Sequence, residues 1–71
     1  MRKWLKEIRE SHAMTIEQMA AVLEIEADYY EVMESGRLPV NVPVLVAAKI
    51  AEAFEIPLSR LVLYETSYKM Y

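Results

Sequence analysis

Apolar side chains at Ile16, Met19, Ala20 and Leu23 recur three, four and seven residues apart, which places them along one side of a helix. Thr15 stands just before that run and Gln18 three residues beyond it. At that spacing the threonine hydroxyl and the glutamine amide can each accept a backbone N–H left free by the first turn, forming a capping box. Upstream, Leu5, Ile8 and His12 fall on one side of a first helix over Arg2–Ser11. Downstream, Tyr30 and Met33 are the inward positions of a third helix over Ala27–Ser35, and Gly36 ends it, because glycine takes the left-handed conformation without a Cβ penalty. A loop over Pro39–Asn41 follows. Asn41 is read as the cap of a fourth helix that carries Pro43 in its first turn and buries Ala47, Ile50, Ala51 and Phe54. Glu55-Ile56-Pro57 breaks the chain before a short fifth helix over Leu58–Tyr64, held by Leu61. The stretch from Glu65 to Tyr71 shows no period and is read as a frayed tail, with Tyr64, Tyr68 and Tyr71 as alternative contact residues. The expectation is an all-α fold of five helices in one domain.

Glycine occurs once and proline three times, too little punctuation for hairpins and strands. The second and third helices carry a shared rhythm. Met19, Ala20, Leu23, Ile25, Tyr30 and Met33 are spaced as the inner positions of a helix-turn-helix over about residues 15–35, in which Ala20 is small where the helices cross and Ile25 fills the turn. In such a unit the second helix is the one offered to a DNA major groove.

Composition narrows the function classes. The 71 residues are 55% hydrophobic and contain no cysteine, so the core is expected to form without disulfides or thiolate metal sites. The charged opening Met1-Arg2-Lys3-Trp4-Leu5-Lys6-Glu7 is unlike a secretory leader, and Val42–Ala48 is about a third of a bilayer span. These features point to a cytoplasmic protein that takes no membrane partner. His12 stands alone, and no nucleophile–base set, phosphate loop or metal spacing occurs. The chain is accordingly expected to be no enzyme, with no cofactor and no small-molecule substrate.

Charge is unevenly distributed along the chain. Arg2, Lys3, Lys6 and Arg9 crowd the first helix, whereas Glu10–Gly36 holds seven acids and no lysine or arginine before Arg37.

Four segments in order, Leu5-Lys6-Glu7-Ile8-Arg9-Glu10, Met14-Thr15-Ile16-Glu17-Gln18-Met19-Ala20, Met33-Glu34-Ser35-Gly36-Arg37 and Lys49-Ile50-Ala51-Glu52-Ala53-Phe54-Glu55-Ile56-Pro57-Leu58, resemble the lambda-repressor-like (Cro/XRE) helix-turn-helix family. The likeness runs from about Trp4 to Leu63. It implies a structural bridge between Arg9 and Glu34. The departures are informative: Glu24 stands where the family often has glycine, and the loop after Gly36 is about two residues longer. Where family members present glutamine, arginine, serine or lysine to DNA, this chain has Ile16, Ala27, Asp28, Glu31 and Val32. Side chains that read base edges discriminate by about 1–3 kcal/mol each, and phosphate neutralisation supplies most nonspecific affinity.

The resemblance therefore carries two readings. In the first, the face has been turned to protein: Ile16, Tyr29 and Val32 are apolar residues left outside the core and ringed by Glu17, Asp28 and Glu31, with Ala27 also among the partner-binding positions. A basic partner fits it, namely the DNA-binding domain of a repressor, and the chain then resembles a small phage modulator of repression acting in a bacterial or phage-infected cell. The second reading is a Cro-like repressor that binds double-stranded DNA as a dimer, with Arg2, Lys3, Lys6 and Arg37 as phosphate contacts. The bland account of Glu26 and Asp28, that acids at a helix N-terminus complement its dipole, covers neither Glu31 nor Val32.

Overall fold

The computed structural model describes residues 1–37 and 42–69. It is all-helical, with five helices: α1 (Lys3–Ser11), α2 (Ile16–Leu23), α3 (Ala27–Ser35), α4 (Val44–Phe54) and α5 (Leu58–Lys69). No strand occurs among the described residues. The chain divides into two compact units, Met1–Pro39 with α1 to α3 and Val40–Tyr71 with α4 and α5.

In the first unit α3 packs on both α2 and α1. Leu5, Met19, Ala20, Leu23, Tyr30 and Met33 are its buried apolar side chains. The capping box is present in both directions. The Gln18 N–H donates to Thr15 Oγ1 at 3.1 Å, and the Thr15 N–H donates to Gln18 Oε1 at 2.9 Å. One detail of the first helix departs from expectation: it begins at Lys3 instead of Arg2. His12, a lone histidine read as a surface or helix-end residue, is exposed at the helix's carboxyl end, with Nδ1 2.9 Å from the Ile8 carbonyl. A ring with a carbonyl within reach at the helix end has no reason to enter the core.

A chain with one glycine still ends its helices in left-handed residues. Ala13, Glu24, Gly36 and Glu55 have φ of 53°, 58°, 83° and 54°. Ala13, Glu24 and Gly36 each sit in a Schellman turn. The N–H of the residue after each left-handed one returns to a carbonyl in the helix's last turn: Met14 to Arg9, Ile25 to Ala20 and Arg37 to Val32, at 3.0–3.2 Å. For the non-glycine residues this conformation crowds Cβ against the carbonyl. Glu24→Gly is therefore expected to raise stability by about 0.5–1 kcal/mol, read as a higher urea midpoint. A lower midpoint would mean that the Glu24 side chain contributes more than its backbone strain removes.

In the second unit α4 and α5 pack on each other across the Glu55-Ile56-Pro57 break. The expected Pro39–Asn41 loop and Asn41 cap lie outside the described residues. Pro43 stands immediately before α4 rather than in its first turn, since its ψ of 145° is extended. The buried face of α4 is also corrected: Val46 and Ile50 are buried, while Ala47, Ala51 and Phe54 are half-buried. The fifth helix runs five residues beyond the expected end, through Glu65 to Lys69, so this stretch is no frayed tail. Its cause is a stripe of Leu61, Tyr64, Glu65 and Tyr68 at helical spacing, with Leu61 and Glu65 buried and both tyrosines half-buried. Glu65 Oε2 accepts the Val42 N–H at 3.1 Å, which ties the entry of α4 to the second turn of α5. Met70 and Tyr71 lie outside the described residues.

Candidate functional site

Two consecutive helices, α2 and α3, carry the proposed site. The capping box starts α2 at Ile16, which puts Ile16 half-buried and Glu17 exposed in its first turn. Ile16 thus belongs only in part to the buried stripe that its spacing suggests. The left-handed Glu24 then turns the chain so that α3 starts at Ala27, with Asp28 in its first turn. Along α3, Ala27, Tyr29 and Val32 are half-buried, while Asp28 and Glu31 are exposed. The half-buried apolar residues are thus interspersed with carboxylates: at 100° per residue, Asp28 and Glu31 lie between Ala27 and Val32 around α3, and Tyr29 lies beyond Val32. From Glu10 to Gly36 the sequence has no lysine or arginine, and Arg37 just beyond it pairs with Glu31.

The two helices are held from α1. Arg9 grips Glu34 with two parallel bonds, Nε to Oε2 at 2.8 Å and Nη2 to Oε1 at 3.0 Å, while its Nη1 donates to the Met14 carbonyl at 2.9 Å. The side chains are 14% and 8% exposed. Burial pushes the Glu34 carboxyl up, but the bonds from Arg9, the neighbouring Tyr30 hydroxyl and the charges of Arg9 and Lys6 outweigh it, and the net direction is down. The hydrogen bond to Glu34 raises the Arg9 guanidinium further above its ordinary value. Burial and the Glu34 carboxylate beside it push the Tyr30 phenol well up. That hydroxyl is buried and has no acceptor or donor in hydrogen-bonding geometry among the described residues.

The four cations assigned to phosphate contact are differently placed. Arg2 is fully buried, which removes it from that set. Its guanidinium donates from Nη1 to the Met33 carbonyl at 2.7 Å, and its backbone N–H donates to the Glu34 carbonyl at the same distance. The last turn of a helix leaves carbonyls without partners, and a cation satisfies both their hydrogen bonding and their partial charge. Lys3 is exposed and Lys6 half-buried. Arg37 is exposed, but its Nη2 lies 3.2 Å from Glu31 Oε1 and its Nε donates to Ser35 Oγ at 3.0 Å. With both charged ends more than half exposed, that pair contributes little to stability, about 0–1 kcal/mol. It does draw Arg37 toward the acidic side of α3.

Sequence reasoning missed Arg2 and Glu65 as structural groups. For Glu65 a signal was present: Leu61, Tyr64 and Tyr68 stand at i, i+3 and i+7, and Glu65 lies inside that stripe. For Arg2 no local pattern exists, because its acceptors are more than 30 residues away. No helix among the described residues is long and apolar enough to cross a membrane. Comparison with protein-family models, with curated proteins and with solved structures finds no match to this chain.

Proposed function

We propose that the chain is a transcription regulator of helix-turn-helix type, working as an antirepressor in the cytoplasm of a bacterial or phage-infected cell. Helices α2 and α3 dock on the basic DNA-binding domain of a repressor and so deny it its operator. The observation that supports this reading is the character of the α2–α3 surface. Half-buried Ile16, Ala27, Tyr29 and Val32 are accompanied by exposed Glu17, Asp28 and Glu31, of which Glu31 is paired with Arg37, and no lysine or arginine occurs between Glu10 and Gly36. Such a surface repels phosphate and attracts the same arginines and lysines that a repressor uses on DNA. The bridge of Arg9 to Glu34 and the clamp of Arg2 on the end of α3 serve this function by fixing the helix that carries Asp28, Tyr29, Glu31 and Val32.

The test is a titration against the repressor encoded beside this chain's gene. Asp28→Lys combined with Glu31→Lys is expected to weaken the complex on the order of tenfold to a hundredfold, mostly through slower association at low salt. Equal affinity of the double variant and the unaltered chain sinks the reading. Binding of the unaltered chain to duplex DNA, falling steeply as salt is added, would support the Cro-like alternative instead.

A further inference from the structure

The second unit exposes more large apolar side chains than it buries. Val46, Ile50 and Leu61 are inside, whereas Val44, Leu45, Leu58, Val62 and Leu63 are 75%, 78%, 43%, 58% and 62% exposed. Val44, Leu45 and the exposed Ala48 lie within about 100° of one another around α4. Leu58 and Val62 are one turn apart on α5. Because Glu65 holds the Val42 N–H, the start of α4 lies beside the second turn of α5, the turn that also carries Val62. Exposures of this size on valine and leucine amount to roughly 400 Å² per copy, within the range that marks an interaction surface on a small protein.

We infer that this apolar surface of α4 and α5 is where two copies of the chain associate. Charge selects the occupant. The unit contains three basic residues (Lys49, Arg60, Lys69) and three acidic ones (Glu52, Glu55, Glu65), so it is formally neutral, and the chain's net charge of −3 resides wholly in the first unit. Two copies meeting through the second unit bring together neutral surfaces, while two acidic α2–α3 surfaces would repel each other. An apolar patch is also complementary to its own image, as a two-fold interface requires. With its polar rim the pair buries about 1,000 Å², the lower end for a specific interface, and the dimer is accordingly weak and concentration-dependent. The inference does not depend on which partner α2 and α3 take.

Sedimentation equilibrium of the full chain tests it. The apparent mass is expected to rise with concentration from 8.3 kDa toward twice that value. Leu45→Asp and Val62→Asp should each weaken the association at least about tenfold with unchanged helical circular dichroism, since both positions are exposed. Ala48→Arg, which adds bulk at an exposed position and removes no buried contact, is the second route to the same loss. Asp28→Lys with Glu31→Lys should leave the association intact. A chain that stays at its monomer mass up to about millimolar concentration overturns the inference. Association that withstands Leu45→Asp, Val62→Asp and Ala48→Arg overturns it equally.

Discussion

Replacing Arg9 by alanine is expected to cost about 3–5 kcal/mol of folding stability, because it leaves the Glu34 carboxylate buried without its cation. For 71 residues the whole folding free energy is on the order of 4–10 kcal/mol, so the variant should be marginally folded. Urea unfolding of the variant and the unaltered chain measures the difference. A loss below about 1 kcal/mol would mean the pair behaves like a solvated surface bridge. Arg9→Met with Glu34→Leu should recover most of the loss, since both charges then leave together. The pH dependence follows from the direction of the Glu34 shift. Its carboxyl is held below the ordinary carboxylate value, so the unfolded state binds the proton more tightly. The stabilisation is thus complete above that ordinary value and is lost as pH falls through it to the folded-state pKa. Single Arg9→Ala should flatten this acid limb, because it removes the main cause of the depression.

Arg2→Ala carries the second-largest expectation, a loss of about 2–3 kcal/mol, set by a charged hydrogen bond and by the packing of its buried stem. Arg2→Lys should lose somewhat less, since an ammonium can still reach a carbonyl. The same urea titration reads both. Stability unchanged in Arg2→Ala, together with altered nucleic-acid or repressor binding, would return this residue to the surface role that its position in the sequence suggests.

Local chemistry made much of the first unit legible. Thr15 and Gln18 announce the start of α2, Gly36 announces the end of α3, and Tyr30 and Met33 are inside as their spacing requires. The bridge between Arg9 and Glu34 came only through the family resemblance, since nothing in the spacing of two residues 25 apart points to it. The misreadings of Arg2 and Glu65 have one physical origin. A charged side chain is assigned to water unless a partner is in sight, and the partners of Arg2 and Glu65 are backbone groups far along the chain. Glu65 in turn hid the stripe of Leu61, Tyr64 and Tyr68, and with it five residues of helix. On α4, alanines and Phe54 drew the buried face toward one side, although Val46 is the residue that closes it. The acidity of the segment that forms α2 and α3 was readable because it depends on composition alone. The apolar surface of the second unit was not, because an exposed leucine and a core leucine look alike in a helical pattern.

The bond from Val42 to Glu65 also orders events during synthesis. The acceptor is made 23 residues after the donor. At ~5–20 residues per second, a ribosome takes about 1–5 s to supply it. Through that interval a nascent α4 has its backbone entry unanchored and no complete α5 to pack on. A chain released early, anywhere short of Glu65, would keep that state for good and present it to whatever protease or chaperone samples it first.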